Sequence, residues 1–166
     1  MFGLSATWQS LHGVDTLSTT REGGVSQPPF DSLNLGLHVG DNSQDVLNNR
    51  ARVNAHLPKP AIWLNQVHSA DVITVDERFD PNQILTGDAL YTQLCNQPLA
   101  IMTADCLPIL LSSSDGQEVA AIHAGWRGLE QGVINNTLAC FKNASANIHA
   151  WLGPAIGANQ FQVGQE

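Results

Sequence analysis

Residues 103–128, TADCLPILLSSSDGQEVAAIHAGWRG, decide how this chain is organised. Two apolar runs, Ile109–Leu111 and Val119–Ile122, are too short for helices, and Ser112–Gln117 between them carries the Asp115-Gly116 pair that favours chain reversal. The pattern predicts a β-hairpin. His123 closes its second strand. The segment Leu99–Thr103 runs as a strand into Ala104-Asp105-Cys106, so Cys106 also sits at a strand end. After a turn through Gly125-Trp126-Arg127-Gly128, the positions Leu129, Val133, Leu138 and Phe141 follow helical spacing and predict one helix to about Lys142. Arg127 then lies beside its amino end. A last strand, Ile148–Leu152, leads into Gly153-Pro154-Ala155-Ile156-Gly157.

Upstream of the hairpin, AIWLNQV (61–67) reads as a strand, His68–Asp71 as a tight turn and VITV (72–75) as a second strand. That puts His68 at a strand end as well. A Pro81-Asn82 loop leads to Gly87-Asp88-Ala89 and another short strand. A helix is expected from Asn42 or Ser43, with Asp45 in its first turn, to just before Pro58. At about 100° per residue Val46, Val53 and Leu57 form a narrow stripe, and Arg50 falls inside it, about 40° from Val46. Arg50 is therefore expected to point inward and to need an anionic partner, whereas Arg52 projects to solvent. Residues 14–20 (VDTLSTT) read as a strand entering the Arg21-Glu22-Gly23-Gly24 loop, and 28–36 as ordered loop rich in turn formers. No internal repeat is found. Strands and helices are intermixed, which favours α+β or α/β over an all-β sandwich or a helical bundle.

With 166 residues and 43% hydrophobic content, the chain suits a single domain, residues 1–166. The net charge of −8 opposes binding to nucleic acid or to anionic membrane surfaces. Charged residues make up only 13%, a hint that some surface is covered by further chain or by a neighbouring subunit. Met1–Trp8 lacks the basic and apolar segments of a secretory signal, and no apolar run approaches the roughly 20 residues of a membrane span. An odd count of cysteines (Cys95, Cys106, Cys140) without a CxxC spacing suits a reducing compartment, so a cytoplasmic location is expected.

His68, Cys106 and His123 thus each end a strand at a sharp turn, and their donor atoms suit zinc. Three protein ligands leave a fourth position open, the pattern of a catalytic site. Their sequence separations carry no metal signature of their own. The plainer readings are a small core residue for each cysteine, which fits Cys95 and Cys140, and a solvated bystander for His12, His38, His56 and His149. Arg127 could simply neutralise a carboxylate and Asp88 form a turn. Cys106 could also be a thiolate nucleophile with His68 or His123 as base and no metal, or the chain a non-enzymatic zinc module.

The blocks TTREGGVS, PFDSLNLGLHVGD, NNR, NQVHSADV, GDALYT, TADCLPILL, AAIHAGWRG and LGPAIG, in this order along nearly the whole chain, resemble the YfiH-type family. That family carries both the label polyphenol oxidase (laccase) and the label purine nucleoside phosphorylase. The resemblance implies a layered α/β/β/α member of the α+β class, related to the catalytic domain of cytotoxic necrotizing factor toxins. It implies zinc ligation by His68, Cys106 and His123. It further implies phosphorolysis of adenosine, inosine and methylthioadenosine, with deamination of adenosine, so that purine nucleosides and phosphate are the expected small-molecule partners. Cys106, Arg50, Asp88 and Arg127 become the candidate catalytic groups, and Arg21, Asn34, Arg50 and Arg127 the candidate substrate-binding ones, with Asp88 expected to orient a ligand or substrate hydroxyl. Hydrolytic editing of misaminoacylated muramyl nucleotides through Cys106 or zinc-activated water is the alternative. Copper-dependent phenol oxidation ranks below both, because copper oxidases draw on many, often paired histidines and this chain has 6 with no His-x-His. Family members continue beyond LGPAIG, so the chain is expected to lack a C-terminal part.

Overall fold

The computed structural model describes residues 3–4, 13–80, 83, 85–142, 147–162 and 164; His12, the Pro81-Asn82 loop and Met1–Phe2 with residues 5–8 lie outside them. In chain order the elements are β1 (Gly3–Leu4), β2 (Ser18–Thr19), α1 (Ser43–Asn54), β3 (Ile62–Trp63), β4 (Val72–Val75), β5 (Ala89–Thr92), β6 (Leu99–Ala100), β7 (Leu107–Ser113), β8 (Val119–Ala124), α2 (Trp126–Glu130), α3 (Val133–Leu138) and β9 (Ile148–Leu152). The expected hairpin is β7 and β8, antiparallel from Leu107 opposite Ala124 to Ser112 opposite Val119. Its tip, around Gly116 with φ of 70°, lies at the end away from Cys106 and His123.

The hairpin is the centre of a five-stranded sheet in the order β4-β5-β8-β7-β9, in which only the β4–β5 pair is parallel. Strand side chains alternate between faces. The row Ala89, Ile122 and Ile109 meets α2 and α3, with Tyr91, Val133 and Phe141 completing that core. The next row points the other way: Leu90 packs with Ile62, Leu64 and Val75 in a second core beneath the parallel β3–β6 pair. Trp63, between Ile62 and Leu64, faces outward, and the Arg50 guanidinium of α1 lies 4.3 Å above its ring. The succession α2/α3, large sheet, β3/β6 and α1 gives the mixed α+β layering expected.

Helix α1 starts as predicted, with the Asn42 side chain accepting from the backbone of Gln44 and Asp45. Three expectations need correction. The helix expected to reach Lys142 is two short helices, because Gly132 adopts φ of 90°, a left-handed conformation that interrupts the helical hydrogen-bond ladder. The strands expected over 61–67 and 99–103 pair with each other, among the described residues, only at Ile62–Trp63 and Leu99–Ala100, and an isolated bridge from Asn65 to Thr86 follows. Of residues 14–20, only Ser18–Thr19 pair among the described residues, against Gly3–Leu4. No helix of the described residues is long and apolar enough to cross a membrane.

Candidate metal centre

His123 is delivered by β8. It lies two residues beyond Ala121 on the same strand face, and both border an open cleft of about 870 Å³. Cys106, immediately before β7, reaches the same place because Leu107 is registered opposite Ala124. His68 arrives from the loop after β3, which is tied to the start of β5: Asn65 N donates to Leu85 O at 2.8 Å and Gly87 N to Asn65 O at 3.2 Å. One donor atom from each of the three residues lies within 4.8 Å of the others. His123 is buried, Cys106 half-buried and His68 exposed, so the cluster opens to one side.

The donor set fits zinc. Tetrahedral zinc with bonds of about 2.1 Å to nitrogen and about 2.3 Å to sulfur holds such atoms about 3.6 Å apart. Cys106 Sγ and His68 Nε2 are 3.9 Å apart. Burial first, then the nearby carboxylates of Asp105 and Asp88, pushes the Cys106 thiol above its ordinary pKa. Such a thiol is a poor nucleophile unless a cation drives off its proton. The Gly125 backbone passes close to two of these side chains: a Cβ there would lie 2.8 Å from His68 Cδ2 and 3.2 Å from Cys106 Sγ.

Asp88 is fully buried behind the histidines. Its Oδ1 accepts from His123 Nδ1 at 2.7 Å and from His68 N at 3.0 Å, and its Oδ2 accepts from Ser69 N at 2.6 Å, Ser69 Oγ at 3.1 Å and Val67 N at 3.2 Å. Burial alone would raise its pKa, but these hydrogen bonds, led by that from His123, hold it below the usual carboxylate value.

Of the remaining sequence candidates, the structure brings Arg21 and Asn34 to the cleft wall beside the metal donors. Arg21 pairs there with Asp31 at 3.1 Å. Asn34 serves its own loop, donating to Asp41 Oδ2 at 2.9 Å and accepting from Gly36 N at 3.0 Å. Arg50, Asp88 and Arg127 are not among the lining residues. Arg50 points inward as predicted, yet its partners are the Leu35 carbonyl at 2.9 Å, the Met102 sulfur at 3.6 Å and the Trp63 ring, with no carboxylate among the described residues. The expected anion is replaced by a π face, which accommodates a planar guanidinium. Arg127 is exposed and stacks 4.7 Å from the centre of its neighbour Trp126. Arg52 donates to Gly23 O at 2.8 Å from the exposed side of α1.

Two organising residues escaped the sequence reading. Asn49, fully buried on α1, holds the 25–34 loop against the cleft through Val25 N, Ser26 Oγ, Ser32 O and Asn34 O. Its signal was a carboxamide within about 60° of Val46 on the buried side of the helix. Gln66 clamps Met102 from both sides, its Nε2 donating to the carbonyl and its Oε1 accepting from the amide, each at 2.7 Å.

Residues 15–166 match a family model described as multi-copper polyphenol oxidoreductase laccase. The chain is 50% identical over 161 residues to "Purine nucleoside phosphorylase YfiH" of Escherichia coli (strain K12), a match spanning 96% of this chain and 65% of that protein. It is 46% identical over 166 residues to the purine nucleoside phosphorylase of Haemophilus influenzae, across 99% of this chain and 67% of the relative. Among solved structures, a DUF152 protein of Neisseria meningitidis superimposes with a TM-score of 0.92 at 46% identity, over 98% of this chain and 66% of that one. YlmD of Geobacillus stearothermophilus gives 0.85 at 35% identity, over 93% of this chain and 63% of the other. The chain spans about 65% of the length of the Escherichia coli relative. With a matching model over most of its residues and the fold in common with these structures, the chain belongs to the multi-copper polyphenol oxidoreductase laccase family and is a YfiH homologue.

Proposed function

We propose that this chain carries the centre of a zinc-dependent purine nucleoside phosphorylase, acting on adenosine, inosine and methylthioadenosine and also deaminating adenosine. The observation that carries the reading is the convergence of His68, Cys106 and His123 within 4.8 Å at the wall of a cleft large enough for a nucleoside. The names of the relatives support the purine chemistry. Zinc bound by those three residues supplies a Lewis acid with an open position, able to activate water for attack on the amino-bearing purine carbon.

In phosphorolysis a phosphate oxygen bonds to the anomeric carbon, the bond from that carbon to the purine nitrogen breaks, and the purine leaves with a proton. Cations must hold the phosphate and offset the charge on the departing base. Arg21 stands on the cleft wall, and Arg50 reaches it through Trp63 and Met102, both of which line the cleft. Arg50 carries no competing carboxylate among the described residues, so its charge is offered to an anion in the cleft from behind the wall formed by Trp63 and Met102. Arg127 and Asn34 are proposed in lesser roles at the margin, since one is stacked on Trp126 and the other engaged within its loop. The convergent donors among the described residues, two histidines and one cysteine, are too few for the histidine-rich multicopper centre of a polyphenol oxidase, and an open three-ligand site of this kind suits a hydrolytic or transfer zinc.

The test is side-by-side turnover by the zinc-loaded chain of adenosine with phosphate and of a seryl muramyl nucleotide. Release of adenine and ribose 1-phosphate, lost in Cys106→Ala and His123→Ala, is the expected result. Turnover of the muramyl nucleotide alone transfers the site to amide hydrolysis. Undiminished phosphorolysis in Arg50→Met removes Arg50 from phosphate binding.

A further inference from the structure

We infer that Asp88 is a positioning residue that sets up both histidines of the metal centre, one through its side chain and the other through its backbone. The inference rests on the metal reading of the His68, Cys106 and His123 cluster and is independent of the substrate. Asp88 is fully buried and does not line the cleft, so a substrate hydroxyl has no route to it. Its two oxygens are already occupied by five donors from Val67, His68, Ser69 and His123.

The side-chain arm acts on the tautomer. A carboxylate has no proton to give, so the 2.7 Å contact with His123 requires the proton to sit on Nδ1. The lone pair is thereby left on Nε2, the nitrogen free to meet a metal. Carboxylate partners of this kind fix ring orientation and raise the basicity of ligating histidines. The backbone arm acts on His68. That residue adopts φ of 61°, a left-handed conformation that a residue with a Cβ rarely takes. Three consecutive amides, of Val67, His68 and Ser69, converge on the Asp88 carboxylate and hold the turn in that shape. A single buried anion therefore places two ligands that are 55 residues apart in sequence (123 − 68). Neither arm is visible in the sequence, where Asp88 stands 20 residues from His68 and 35 from His123.

The experiment combines ¹⁵N-histidine NMR of the metal-free chain at mildly alkaline pH with zinc competition against a chromogenic chelator. In the wild type, His123 is expected to show protonated Nδ1 and unprotonated Nε2, and Asp88→Ala to convert it to mixed tautomers. Asp88→Asn keeps the shape but offers one acceptor where five donors converge, and it is expected to weaken zinc binding about 10- to 100-fold. A wild-type His123 protonated on Nε2 overturns the inference, and does so even if neither variant folds. A folded Asp88→Asn chain that binds zinc within about twofold of wild type overturns the positioning role while the metal reading stands. A wild-type chain with the Nδ1–H signature that takes up no zinc overturns the metal reading and, with it, the role given to Asp88.

Discussion

Gly125→Ala adds one methyl group beside the metal donors. Backbone conformation does not resist it, because Gly125 has φ of −67° and ψ of 158°, values open to alanine. The obstacle is space. The new Cβ would stand 2.8 Å from His68 Cδ2 and 3.2 Å from Cys106 Sγ. To reach an ordinary contact of about 3.5 Å, the imidazole must retreat by about 0.7 Å and the sulfur by about 0.3 Å. Metal–ligand distances tolerate only about 0.2 Å. Zinc affinity is therefore expected to fall about 10- to 100-fold, or about 1.4–2.8 kcal/mol. The metal-free fold should lose far less, a few tenths of a kcal/mol, since the exposed His68 ring can swing toward solvent. Chelator competition gives the affinity, and thermal unfolding with and without zinc separates the two effects: the metal-free melting temperature should barely move while the zinc-induced rise shrinks. Wild-type zinc affinity in Gly125→Ala would refute the assignment of His68 and Cys106 as neighbouring ligands.

Three further outcomes are expected. Burial, with the carboxylates of Asp105 and Asp88, raises the pKa of the half-buried Cys106 thiol and so lowers its thiolate fraction in the metal-free chain, whereas Cys95 is exposed to reagents. Iodoacetamide followed by mass spectrometry should modify exposed Cys95 before half-buried Cys106 at pH 7, with Cys106 labelling rising with pH, and early labelling of Cys106 would favour the metal-free nucleophile. Tyr91→Phe leaves the buried Glu118 carboxylate with its 2.8 Å bond from Lys142 N but without the tyrosine hydroxyl that now donates to it. Chemical denaturation should show a loss on the order of 1–3 kcal/mol, while chelator competition shows zinc affinity unchanged. Asn49→Ala strips the 25–34 loop of its buried anchor, and should cost a similar 1–3 kcal/mol while raising KM for the nucleoside more than it lowers kcat.

The hairpin was legible in the sequence because the apolar runs 109–111 and 119–122 flank an Asp-Gly turn, and His123 at the end of its second strand follows from that pattern. The inward Arg50 was legible for the same reason, since helical phase is local. What surrounds Arg50 was not: Trp63 and Met102 come from other segments, and a cation can be satisfied by a π face or a carbonyl as well as by a carboxylate. The break in the 126–138 helical region was missed because Leu129 and Val133 keep helical spacing across Gly132, whose positive φ leaves no trace in hydrophobic periodicity. At the candidate metal centre, the residue types of the three candidate ligands were readable, but their convergence depends on the β7–β8 register and on the loop after β3, both of which are properties of the folded chain. Asp88 was singled out in the sequence as a candidate catalytic group expected to orient a ligand or substrate hydroxyl, but which groups it holds was not legible, because the four residues that donate to it lie 19 to 35 positions away.

The hairpin also sets where this chain can vary in length. Its tip near Gly116 is remote from the end that carries Cys106 and His123, so residues added or lost there leave the ligands where they are. One residue gained or lost within Val119–Ile122 turns every later side chain of β8 to the opposite face and would aim His123 at α2 and α3 instead of the cleft, while one within Leu107–Ser113 shifts the pairing of β7 with both β8 and β9. Homologues should accordingly show length polymorphism between 114 and 117 and uninterrupted strands on either side, and an affinity tag or a fluorophore is best grafted at that same loop.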